Sequence, residues 1–272
     1  MAKVIAIANQ KGGTAKTTTA MNLGAGMARL GRNVLVIDAD PQGSLTECFG
    51  YAQPDAMDVT LSTIMEKVIN DEWEASINID YEEGEEDYLQ GILQQEDGVS
   101  LLPGNIELSG LEVSLVNVMS RETVLSRYIN SIRNRFDYIL IDCGPSLGMI
   151  TLNVLSAADS VLIPVQAEYL PMKGLEQLLG TVARVKKHLN PKLEIEGILL
   201  TMTKPRTIYG RDIASLVREG YGKRITVFDE DIPASVRATE ASALGMSIFR
   251  HDPKGKVAKA YSSLVGEVLK RG

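Results

Sequence analysis

The chain has 272 residues, 44% of them hydrophobic, enough to bury a full core without cross-links. Its formal charge of -7 argues against a nucleic-acid partner in bulk, yet the balance is uneven: residues 1–183 carry 11 Lys+Arg against 25 Asp+Glu, and residues 184–272 carry 17 against 10. Cys48 and Cys143 show no C-x-x-C spacing, which speaks against a disulfide framework or a zinc site; the absence of a long apolar run and of a leader pattern implies a cytoplasmic chain.

Val4 to Ala8 is a short apolar run closed by Asn9-Gln10 and a Gly pair, and reads as a fully buried strand. A helix is expected from about Thr17 to Leu30, with Ala20, Leu23, Gly24, Met27 and Leu30 on one face and Gly31 as its stop. Val34 to Asp38 is a second buried strand. Between Glu66 and Asp97 stand 12 acidic residues and one Lys, which read as a solvated loop or exposed helix inserted at the sheet edge, or else as a docking surface for a basic partner. Further apolar runs at Val99 to Leu102, Tyr138 to Ile141, Val161 to Val165 and Ile198 to Leu200 are separated by helix-length amphipathic sequence.

Without hairpin turn signals, this alternation predicts an α/β fold with a mostly parallel twisted sheet and helices on both faces, its ligand at the carboxyl ends of the strands. No domain boundary is evident, so residues 1–272 read as a single domain with an acidic insertion at about 66–97. The last helix, Lys256 to Arg271, carries Val257, Ala258, Tyr261, Leu264, Val265, Val268 and Leu269 on one side. With one aromatic and a Lys270-Arg271-Gly272 end, it suits packing on the sheet better than a membrane surface.

The segment Asn9 to Thr19 (NQKGGTAKTTT) misses the general phosphate-loop pattern G-x-x-x-x-G-K-[ST] twice, at Gln10 and Ala15. What remains is a strand, a flexible loop through Gly12-Gly13, and Lys16-Thr17 at a helix start. That arrangement directs the backbone N–H groups of Lys11 to Thr18 at an anion, with Lys16 on the β- and γ-phosphates of ATP and the Thr17 hydroxyl on Mg²⁺. Asp38-Ala39-Asp40-Pro41-Gln42-Gly43 places two carboxylates just after the second strand. Phe136 to Asp142 is an apolar strand ending in an acid, where a Mg²⁺ shell can use it.

K-G-G-x-x-K-T-T resembles the deviant Walker A box of the ParA/MinD family of P-loop ATPases, and the match continues across nearly the whole chain. The resemblance implies that Lys11 reaches the phosphates of a partner subunit in an ATP-sandwich homodimer. Gly is commoner where Ala15 stands, and alanine fits there only if the position does not need positive φ. Asp38 to Gly43 resembles switch I, which makes Asp40 the residue that orients the attacking water and senses the γ-phosphate beside the metal. Asp38 reads equally as a second functional acid or as a structural one. Cys143 to Gly148 resembles switch II, although a second proline is more usual at Gly144.

Thr203 and Pro233 would lie near the adenine. By likeness to the ParA-type partition ATPases, Arg206, Arg211, Arg218, Lys223, Arg224 and Arg237 would bind nonspecific double-stranded DNA, with Arg250, Lys254 and Lys256 as a second group. Ala234 stands where the family often has Arg. The implied activity is weak ATP hydrolysis stimulated by a ParB-like centromere-binding protein on the nucleoid, with no membrane partner. Membrane cycling in the manner of MinD, or gating of another cargo, is the alternative.

Overall fold

The computed structural model describes residues 1–73, 91–167, 172–204 and 207–271. Seven strands, β1 (Lys3–Ile7), β2 (Val34–Ala39), β3 (Leu93–Gln94), β4 (Ser100–Leu102), β5 (Tyr138–Cys143), β6 (Ser160–Gln166) and β7 (Glu194–Thr201), form one sheet in the order β3-β4-β2-β5-β1-β6-β7. Every neighbouring pair is parallel except β3 with β4. The near-continuous apolar runs follow from burial on both faces: β2 is buried at each of its positions.

One face is covered by α1 (Lys16–Ala28), α2 (Ser44–Cys48), α9 (Val236–Ala243), α10 (Ile248–His251) and α11 (Lys256–Leu269). The other carries α3 (Leu61–Ile69), α4 (Glu107–Ser114), α5 (Val124–Ile132), α6 (Met149–Ala157), α7 (Met172–His188) and α8 (Ile208–Tyr221). Alternate residues of β1 serve the two cores: Ile5 and Ile7 join the first, Val4 and Ala6 the second. The register sets Asp142 opposite both Ile7 of β1 and Asp38 of β2, so the exits of three strands converge on one point of the carboxyl edge.

Three expectations change. The first helix starts at Lys16 and ends at Ala28, leaving Leu30 exposed past its end. A hairpin is present: β3 and β4 pair antiparallel around Asp97-Gly98, a dipeptide with known turn preference. The ends of the acidic stretch are therefore structural. Glu66 lies in α3, Glu96 pairs with Arg250, and Asp97 accepts from the Ser247 N–H and hydroxyl at 3.0 and 2.8 Å. Trp73 is buried edge-on against Tyr128. Residues 74–90, which hold the densest run of acids, lie outside the described residues.

As expected, α11 packs on the sheet: it shares the core of that face with residues of β1, β2 and β5 and lies beside α1. Val257, Tyr261, Leu264, Val265 and Val268 are all buried, and the Tyr261 hydroxyl meets the Thr19 hydroxyl at 3.3 Å. Arg271, just past this helix, donates to the Glu196 carbonyl at 2.8 Å, while Lys3 bonds both the Arg271 carbonyl and the buried Glu196 carboxylate. Both chain ends are thereby held at the amino edge of the sheet. No helix among the described residues is long and apolar enough to cross a membrane.

Candidate active site

Between β1 and α1 the chain makes the phosphate loop. Asn9, buried, donates to the Pro164 carbonyl at 2.6 Å and accepts from the Lys11 N–H at 3.0 Å, which pins the loop entrance to β6. The Thr201 hydroxyl at the end of β7 donates to the Thr14 carbonyl at 3.0 Å and pins its middle. Neither contact has a signal in the sequence, because each joins residues more than 150 positions apart. Gly12 and Gly13 are exposed at the crest, Thr14 is buried, and Thr17 and Thr18 are half-buried in the first turn of α1.

Ala15 is the residue at the α1 N-cap, with φ 63° and ψ 32°. The position does need positive φ, and the chain places alanine there against a steric cost of about 1–2 kcal/mol. No side chain caps α1, so its first N–H groups are left to a ligand with negative charge. Lys16 is only 7% exposed and its ammonium lies 3.4 Å from the Lys11 carbonyl. Lys11 itself is exposed, with Nζ 3.4 Å from Gln166 Oε1 at the end of β6. The two lysines of the motif thus differ in exposure: Lys16 is buried beside the loop and Lys11 stands out in solvent.

Three carboxylates face this loop from two strand ends. Asp142 is completely buried, and neither of its oxygens has a hydrogen-bond partner among the described residues. Burial pushes its pKa well above the ordinary carboxylate range, and the charge of Asp38 adds to this, while the Thr17 hydroxyl and the Lys16 ammonium favour the charged form. A buried carboxylate without partners costs free energy unless a cation completes it. Asp142 and the Thr17 hydroxyl supply the hard oxygen donors Mg²⁺ prefers, so the residues present fit that ion.

Asp38 is also fully buried, and burial raises its carboxyl to about 6 against the lowering effect of hydrogen bonds from Thr46 and Asp40. Asp40 lies nearer the surface, 9% exposed, and accepts from the Gln42 N–H at 3.0 Å. Its carboxylate rests against Gly144, where an added Cβ would come within 3.2 Å of Oδ1 and 3.3 Å of Cγ. The glycine at this switch position therefore gives Asp40 space that a larger residue would crowd. Burial pushes the Cys143 thiol up and the Cys48 thiol to about 11, so both are weak nucleophiles.

Thr203 and Pro233, far apart in sequence, form an isolated parallel bridge: the Thr203 N–H donates to the Ile232 carbonyl, and the Ala234 N–H to the Thr203 carbonyl. They meet beyond the exit of β7, on the carboxyl edge that carries the phosphate loop.

The basic candidates separate by their partners. Arg211, Lys223 and Arg224 are exposed and make no ion pair among the described residues. Arg218 is engaged, donating to Asp231 at 2.7 Å and to the carbonyls of Phe228 and Asp229. Arg237 pairs with Glu240 one turn on, which also binds His251, and Arg250 pairs with Glu96. Lys254 and Lys256 are exposed at the start of α11, and Arg206 lies outside the described residues.

Comparison with known proteins agrees with this geometry. A family profile described as an AAA domain matches residues 2–195. The sporulation initiation inhibitor protein Soj of Bacillus subtilis is 41% identical over 272 residues, covering all of both chains. The chromosome partitioning protein ParA of Myxococcus xanthus is 42% identical over 269 residues, covering 99% of this chain and 88% of its own. Among solved structures, a Mycobacterium smegmatis protein described as cobyrinic acid a,c-diamide synthase, with bound ATP analogue and magnesium, superposes with a TM-score of 0.81 at 34% identity, covering 100% of this chain and 96% of that one. With the phosphate loop, the switch carboxylates and full-length relatives in agreement, the chain belongs to the ParA/MinD family of deviant Walker A P-loop ATPases.

Proposed function

We propose that this chain is a partition ATPase of the ParA and Soj type that binds ATP with Mg²⁺, closes into a nucleotide-sandwich dimer, holds nonspecific DNA in that state, and turns over slowly until a ParB-like partner accelerates it. The observation that carries the nucleotide chemistry is Asp142, a fully buried carboxylate beside the Thr17 hydroxyl and the Lys16 ammonium, with neither oxygen at hydrogen-bond distance from a donor among the described residues.

The uncapped start of α1 and the loop N–H groups receive the phosphates, and Lys16 neutralises charge on them. Mg²⁺, when bound, screens the repulsion between β- and γ-phosphate oxygens, and Thr17, Asp142 and Asp40 are the residues that would hold it or its water shell. Asp40 orients the attacking water, a positioning task that one fixed carboxylate can perform. Thr203 and Pro233 flank the base. Lys11, exposed and turned from its own site, serves the neighbouring subunit.

For DNA, the exposed Arg211, Lys223 and Arg224 supply phosphate contacts. Burial of the apolar side of α11 leaves that helix no apolar face for lipid and favours DNA over a membrane as the surface on which the cycle runs. The proposed location is the nucleoid, within one folded domain. Size-exclusion chromatography with ATP, followed by DNA co-sedimentation, tests the reading: the wild type shifts to dimer and sediments with DNA, and Lys11→Ala does neither. A Lys11→Ala protein that dimerises on ATP would overturn the role of Lys11, and sedimentation with anionic vesicles in place of DNA would overturn the choice of surface.

A further inference from the structure

Both oxygens of Asp38 are occupied. Oδ1 accepts from the Asp40 N–H at 3.2 Å, and Oδ2 accepts from the Thr46 N–H and the Thr46 hydroxyl, each at 2.8 Å. One buried carboxyl therefore brackets the whole turn from Asp40 to Thr46. The Thr46 hydroxyl, itself fully buried, also accepts from the Gly104 N–H at 3.1 Å just after β4. Gly104 lies flat on this bracket, since a Cβ there would collide with the Asp38 carbonyl oxygen. Hydrogen bonds to a carboxylate are strong and directional, and in a dry site they hold geometry tightly. Three hydrogen bonds thus engage both oxygens of Asp38, whereas among the described residues the Asp40 carboxylate accepts only from Gln42 and keeps the freer oxygens of the two.

We infer that Asp38 and Thr46 are positioning residues: together with Gly104 they fix where the Asp40 carboxylate stands, by locking both ends of the turn that carries it. This rests on the reading of Asp40 as the hydrolytic carboxylate. It distinguishes the two aspartates of the motif, assigning reach to Asp40 and geometry to Asp38.

Thr46→Val is the informative variant, because it keeps the shape and the Thr46 N–H bond to Asp38 while deleting the hydroxyl link to Asp38 and Gly104. We expect kcat with saturating ATP and Mg²⁺ to fall about tenfold, as small misplacements of a reacting group do. Affinity for a fluorescent ATP analogue should stay within about twofold of wild type, an expectation from positioning without binding. Hydrogen exchange should speed up in the peptide 38–48, and Thr46→Ser should restore most of both signals. Asp40→Ala is measured beside it. If Asp40→Ala is inactive but Thr46→Val turns over and exchanges like wild type, the positioning role is overturned. Loss confined to ATP affinity in Thr46→Val would also overturn it, as support for binding alone. Wild-type turnover in Asp40→Ala would instead overturn the reading of Asp40, and the proposal with it.

Discussion

The carboxyl edge and the basic last third hold charge in opposite ways. Lys16, Asp38, Asp40 and Asp142 are almost wholly withdrawn from water, so their positions are set by the backbone around them and each missing partner marks a place for a ligand. Arg211, Lys223 and Arg224 stand in solvent, where a side chain samples many rotamers and its role depends on what approaches. Arg218 lies close to them in sequence yet is fastened by Asp231 and two carbonyls. Charge in the first region is read from burial; in the second it is read from partners.

Breaking the first region should give the largest effect. Asp40→Ala is expected to lower partner-stimulated hydrolysis by about 100-fold or more, with nucleotide affinity retained, as measured by phosphate release. In the second region, replacing Arg211, Lys223 and Arg224 together by Ala should flatten the log-log salt dependence of DNA binding by about 2.7 units, close to 0.9 per lost phosphate contact. Arg218→Ala, by contrast, should leave that slope unchanged and lower thermal stability by about 1 kcal/mol, because its bonds are internal. An unchanged slope in the triple variant would erase the distinction.

Asp142→Asn sharpens the first region further. It should abolish Mg²⁺-dependent turnover yet stabilise the nucleotide-free protein by about 1–3 kcal/mol at neutral pH, measured by denaturant unfolding. The sign follows from its raised pKa. The folded state binds the proton more tightly than the unfolded state, so the charged form costs stability at neutral pH. That cost disappears as pH falls through the folded pKa and then the ordinary carboxylate range, and the advantage of the variant should disappear with it. The smallest effect is at the loop. Ala15→Gly should raise stability by about 0.5–1 kcal/mol, the relief of a left-handed alanine less the added freedom of the unfolded chain.

Much of this architecture is legible in the chain because buried parallel strands announce themselves as continuous apolar runs, and six of the seven strands do so. The exception, β3, is two residues long and carries no apolar run; Asp97-Gly98 was the available signal for its hairpin. At the proposed site, Lys11 to Thr18, Asp40 and Asp142, which the structure brings to one edge of the sheet, stand out in the chain because phosphate-binding motifs tie residue types to fixed spacing. The contacts that hold them in place are not visible. Asn9 with Pro164, Thr201 with Thr14 and Thr46 with Gly104 depend on which strand exits become neighbours, and spacing along the chain says nothing of that. Ala15 shows the converse limit: the motif identifies the position, but only its φ of 63° shows that the backbone there is held against the preference of the residue.

The clasp between Lys3, Glu196 and Arg271 has a practical consequence. It gathers the beginning and the end of the chain at the pole of the molecule opposite the nucleotide edge. A fluorophore or surface tether attached at Lys3 or Arg271 would therefore stand on the far side of the sheet from the phosphate loop and from the turn of Asp40 to Thr46.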